Sequence, residues 1–115
     1  MQPEQIIQKA VVLHLKMRGV PGLVFLHVPN GGKRHPIEAK NFKAMGVTAG
    51  VPDLLLWHNG RSYALELKTP KGRETETQVN MRLQMQRAGV ETGIAYGMDA
   101  AIAVLENWKL LKGSA

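Results

Sequence analysis

Residues 50–69, GVPDLLLWHNGRSYALELKT, restrict the fold more than any other stretch of the chain. Two runs with strand character, 53–57 and 62–68, flank Asn59-Gly60, a dipeptide that accepts the two left-handed residues of a type I′ hairpin turn. With these two residues as the turn, opposed positions pair symmetrically about the Asn59–Gly60 bond. Trp57 then faces Ser62, Leu55 faces Ala64 and Asp53 faces Glu66. Because strand side chains alternate, Lys68 shares the face of Glu66, while Tyr63, Leu65 and Leu67 take the other face. Three charged groups therefore converge on one spot.

Directly opposed strand residues hold their Cβ atoms ~5 Å apart, and like charges there destabilise the pair. At an effective dielectric of about 20, the repulsion is roughly 3 kcal/mol. A divalent cation removes this penalty, and hard cations such as magnesium take carboxylate oxygens together with water and phosphate. An amphipathic hairpin with its charges in solvent is the alternative. Asp53 follows Pro52 and opens an apolar run, however, and Glu66 and Lys68 interrupt a strand that otherwise reads as buried.

At 115 residues the chain has room for one domain, expected over residues 1–112, with 113–115 as a flexible tail. There is no cysteine, which excludes disulfides, zinc ribbons and thiol nucleophiles and suits a reducing cytoplasm. No apolar run approaches the ~18 residues of a membrane span, and no signal peptide is evident. No membrane association is expected. Fifteen Lys and Arg against nine Asp and Glu give a net charge of +6, a balance that suits a polyanionic partner such as nucleic acid.

In chain order, residues 3–18 read as a helix, with Ile6, Ile7, Ala10, Val11, His14 and Leu15 at helical spacing and Gly19 and Pro21 as its stop. Glu4 and Gln8 share one face of it, either reaching a site or, for Glu4, complementing the helix N-terminus. Residues 23–28 (LVFLHV) read as a buried strand. None of the four histidines, His14, His27, His35 and His58, has helical zinc spacing; His27, beside the following loop, is a candidate for a substrate contact. The loop 29–35 (PNGGKRH) offers backbone amides, Asn30, Lys33 and Arg34 to a phosphate, although a solvated turn would look the same. Residues 36–45 read as a helix, adding Lys40 and Lys43 to a basic stretch. After Pro70, with Lys71 and Arg73 nearby, residues 75–87 form a helix with Val79, Leu83 and Ala88 along one side and Gly89 as its end. Thr75-x-x-Gln78 fits a capping box, which gives Gln78 a structural role alongside a place near the end of the Glu66 strand. Residues 90–96 read as a strand despite Gly93. Asp99 is expected to cap a last helix through Leu111, whose residues Trp108, Leu110 and Leu111 exceed one core-facing side and offer an interface.

These elements make an α/β fold with a small mixed β-sheet flanked by helices. Asp53, twelve intervening residues, then Glu66-x-Lys68 resembles the signature of the PD-(D/E)xK nuclease superfamily, and the element order resembles its restriction-endonuclease-like core with one helix added after the first strand. Within it the chain is most similar to the VRR-NUC branch, through Glu4 with Gln8, Pro29-Asn30-Gly31, Gly50-Val51 before Pro52-Asp53, Glu66-Leu67-Lys68, and the later Gln78. The resemblance covers residues 4–105.

That resemblance implies a metal-dependent phosphodiesterase of stand-alone, phage type, working in the cytoplasm of a bacterial host and related to four-way-junction resolvases. It implies Mg²⁺ or Mn²⁺ on Asp53 and Glu66, with the Leu67 carbonyl and, through water, Glu4 completing the shell. Lys68 then acts as base or as electrostatic stabiliser, and Gln78 orients water or phosphate. No organic cofactor is expected. The expected partners are branched DNA and a second copy in a homodimer, because a symmetric junction needs two cuts. A general or flap-type nuclease, a non-catalytic nucleic-acid binding module and a structural basic protein are the rival readings.

Overall fold

The computed structural model describes residues 4–29, 40–41, 43–46 and 48–113. Its first element is helix α1 (Glu4–Arg18), with Glu4 in the first turn and Lys16 and Arg18 in the last, charges that complement the helix dipole. Ile7, Val11 and Leu15 repeat every four residues and are buried. Strand β1 (Val24–His27) follows, then the hairpin of β2 (Leu54–His58) and β3 (Arg61–Lys68), helix α2 (Glu76–Arg87), strand β4 (Glu91–Tyr96) and helix α3 (Met98–Asn107).

The four strands form one mixed sheet in the order β1-β2-β3-β4. Asn59 and Gly60 both have positive φ, 50° and 77°, as the type I′ turn requires. The register follows the turn: His58 pairs with Arg61, Trp57 with Ser62, Leu55 with Ala64 and Leu54 with Leu65. β1 joins β2 antiparallel. β4 joins β3 parallel, the pairing that a helical crossover such as α2 allows.

One sheet face carries Leu54, Leu56, Tyr63, Leu65, Leu67 and Ala95, and packs with α1 and α3 into a single core. Gly93 lies on this face because the Trp108 indole covers it: a Cβ there would come 3.1 Å from Trp108 Cζ2. Trp108 also packs on Tyr63, with ring centroids 5.1 Å apart.

Four expectations need correction. The run 23–28 is not a buried strand: β1 is at the sheet edge, and Val24 and Leu26 are exposed. A continuous apolar run does not reveal that one of its faces meets no layer among the described residues. The last helix stops at Asn107, and its N-cap is Gly97, with Asp99 inside the first turn. Lys109 then takes a left-handed conformation (φ 63°), and Lys109 N–H donates to Glu106 O while Leu110 N–H donates to Leu105 O. This is a Schellman ending. It tucks Leu110 and Leu111 into the core, with Leu111 bridging Gly19, so the expected C-terminal interface is core packing. Helix α2 buries no residue, and Leu83 is 39% exposed. Polar contacts hold this helix: its capping box, a forked Arg82–Glu74 pair with both bonds at 2.9 Å, and Gln86 to Thr92.

Of the helix expected over 36–45, Lys40, Asn41, Lys43 and Ala44 are described and helical. Asn30, Lys33, Arg34 and His35, with Gly31 and Gly32, lie outside the described residues.

Candidate metal centre and catalytic site

Asp53 precedes β2 by one residue, and the β2–β3 register continued past Leu54 and Leu65 brings it to Glu66 on β3. The backbone fixes Asp53 on both sides. Val28 N–H donates to its carbonyl at 2.7 Å, and Leu67 N–H donates to its Oδ2 at 2.7 Å. The first turn of α1 brings Glu4 to the same place. Carboxylate oxygens of Glu4, Asp53 and Glu66 lie within 4.8 Å of one another.

Asp53 and Glu66 are each 2% exposed and Lys68 7%, so the hairpin charges are not a solvated face. The Lys68 ammonium is 3.5 Å from Glu66 Oε2. Gln78 joins the two: its Oε1 accepts from Lys68 Nζ at 2.8 Å and its Nε2 donates to Glu66 Oε2 at 3.0 Å. The same Oε1 accepts from Thr75 N–H at 2.9 Å, and Gln78 N–H donates to Thr75 Oγ1. The capping box and the site contact therefore coexist in one side chain.

Burial first, and then the neighbouring Asp53 charge, push the Glu66 carboxyl up to about 8, against the opposing pull of Lys68. Burial and Asp53 also raise Glu4, and Lys68 again opposes the rise. A cluster with three carboxyls and one ammonium keeps excess negative charge unless it takes up a proton or a cation. Its oxygen donors suit a hard divalent ion.

Two further residues contribute to the site. Gln8 lies one helical turn after Glu4 and donates from Nε2 to Asp53 Oδ1 at 3.0 Å, so both Asp53 oxygens are held. Its sequence signals are the i, i+4 spacing to Glu4 and its place beside Glu4 in the family pattern. Gly50 has φ 81°, and a Cβ on it would lie 2.7 Å from the Thr77 carbonyl oxygen. The segment leading to Asp53 thus packs directly on the first turn of the helix that carries Gln78. Lys40, Lys43, Lys71 and Arg73 are all exposed. His27 is exposed at the end of β1 and lines a groove beside α1.

The sequence matches the VRR-NUC domain family over residues 2–99. The chain belongs to the VRR-NUC domain family. This is a nuclease family, so the carboxylate cluster sits in a nuclease domain. Among solved structures, a "VRR_NUC domain protein" is similar over 95% of this chain and 90% of that one, with 25% identity and a TM-score of 0.76. A second, a "VRR_NUC domain", is similar in fold over 91% of this chain and 96% of that one, at 15% identity and a TM-score of 0.62. Sequence comparison with curated proteins gives no significant match. The small mixed sheet with flanking helices is thus the restriction-endonuclease-like fold of the VRR-NUC family. Among the described residues no helix is long and apolar enough to cross a membrane.

Proposed function

We propose that this VRR-NUC chain is a divalent-metal-dependent endodeoxyribonuclease with Asp53, Glu66, Lys68 and Gln78 at its centre. The observation that carries this reading is the convergence of three carboxylates within 4.8 Å beside a buried lysine. Asp53 and Glu66, with Glu4 and the Leu67 carbonyl, are the groups that would hold Mg²⁺ or Mn²⁺. Such an ion lowers the pKa of a coordinated water and offsets charge developing on the phosphoryl group.

The protein's own residues supply the rest. Leu67 N–H and Gln8 fix the orientation of Asp53 from its two oxygens. Gln78 holds Lys68 at the rim of the carboxylate cluster, where its ammonium orients the attacking water or stabilises phosphate charge. The exposed Lys40, Lys43, Lys71 and Arg73 contribute to phosphate-backbone attraction.

The substrate in this reading is branched DNA, foremost a four-way junction cut by paired nicks. Among the described residues each chain has one such centre, so two symmetric cuts call for a two-fold pair of chains. With the C-terminal leucines in the core, the surface assigned to that contact is the exposed apolar edge formed by Val24, Leu26 and Trp57. Titrating Mg²⁺ and Mn²⁺ against labelled junction, flap, duplex and single-stranded DNA, with sedimentation at micromolar concentration, tests these points. A dimer with metal-dependent junction cleavage is expected. A monomer that cuts junction and duplex equally would replace the resolvase reading by a general nuclease, and metal-independent inertness on every substrate would leave a binding module.

A further inference from the structure

A groove of about 470 Å³ runs between α1 and the end of β1, lined by Gln5, Gln8, Lys9, Val12, Leu13, Lys16 and His27. It begins at the carboxylate site, since Gln8 forms part of its wall and hydrogen-bonds Asp53. Among the described residues no acidic one lines it. Lys9 and Lys16 are two helical turns apart on one side of α1, about 10 Å along the axis, and both are exposed. Between them lie Val12 and Leu13, with Leu13 55% exposed although it faces no core.

The geometry points to this groove as the seat of an unpaired stretch of the strand being cut, next to the scissile phosphate. The inference rests on the nuclease reading above and places in this groove the bases that come unpaired at the branch point of its substrate, whether at a junction crossover or in a flap. Two lysines at that separation suit phosphates along an extended strand, and Gln5 offers donors to them. The apolar floor is what separates a single strand from a duplex backbone. In duplex DNA the base faces are stacked inside the helix and the lysines alone would find partners. An unpaired base presents an apolar face that Val12 and Leu13 can cover.

The test measures binding by fluorescence anisotropy in EDTA, using a short duplex with and without an unpaired arm. Wild type is expected to favour the armed probe. The Lys9→Ala/Lys16→Ala double variant should lose about tenfold on the armed probe and less than about twofold on the blunt duplex, and its salt slope should fall by about 1.4, roughly 0.7 per single-strand phosphate contact. Leu13→Ser should lose about threefold on the armed probe with the salt slope unchanged. All three substitutions are at exposed positions, so melting should be unaffected. Equal losses on both probes would assign the groove to a duplex backbone and overturn the inference, as would no loss or no wild-type preference for the arm. Because binding is read without divalent ion, absence of wild-type cleavage in Mg²⁺ or Mn²⁺ would count against the nuclease reading alone.

Discussion

Replacing Gln78 by alanine separates its two roles when compared with Thr75→Ala. Thr75→Ala removes the acceptor for Gln78 N–H and should cost about 1 kcal/mol, as the loss of an N-cap side chain typically does. Gln78→Ala removes the reciprocal half of the box and also the bonds to Lys68 and Glu66. Hydrogen bonds to charged groups contribute about 1.5–3 kcal/mol each. Lys68 and Glu66, 3.5 Å apart, keep part of that value by turning to each other. A total near 3 kcal/mol follows, about 2 kcal/mol beyond the cap, which for a domain of this size lowers Tm by about 8 °C more than Thr75→Ala. Urea unfolding gives the stabilities, and DNA cleavage on the same preparations gives the rates. Gln78→Ala should lose turnover beyond its loss of folded protein, because Lys68 is no longer held, whereas Thr75→Ala should keep its rate. Equal losses of stability and rate in the two variants would refute the site role and leave Gln78 as a cap.

Two further outcomes follow from the same structure. Glu66 keeps its proton to about pH 8 when folded but releases it near 4.5 when unfolded. Metal-free stability from this group is therefore complete below pH 4.5, declines as pH rises to about 8 and is level above, with a slope of at most about 1.4 kcal/mol per pH unit. Urea midpoints in EDTA across that range should show a decline that is smaller in Glu66→Gln, where only the raised Glu4 contributes; parallel profiles would contradict it. Lys109→Gly should stabilise the protein by about 0.5–1 kcal/mol, since glycine occupies the left-handed position at lower cost, and a lowered Tm would contradict that assignment.

The two Schellman endings show what the sequence made legible and why. α2 ends with Gly89 at φ 95° and Val90 N–H bonded to Met85 O, and Gly89 marks that stop in the sequence. α3 ends by the same pattern with Lys109 in the glycine position, and nothing local announces it, because burial of Leu110 beside Leu105 offsets the backbone cost. The hairpin register was legible because Asn59-Gly60 determines it locally, and that register carried Asp53, Glu66 and Lys68 together. The exposure of β1 depends on which layers cover the sheet, a tertiary fact that the run LVFLHV does not encode. Gln78 was legible as a cap, and its bonds to Lys68 and Glu66 coexist with the cap because one amide has enough donors and acceptors for both. Gly50 was visible only as part of the family pattern; its close approach to Thr77 supplies the physical reason.

The most direct test of the metal-centre claim is cleavage of a labelled four-way junction in Mn²⁺ by wild type and by Asp53→Asn purified side by side. The substitution keeps the side-chain shape but removes the charge that Leu67 N–H and Gln8 hold in place. Wild type should cleave the junction and EDTA should abolish that cleavage, while Asp53→Asn should bind the junction without cutting it. Wild-type cleavage that persists in EDTA, or near-native turnover by Asp53→Asn, would contradict it.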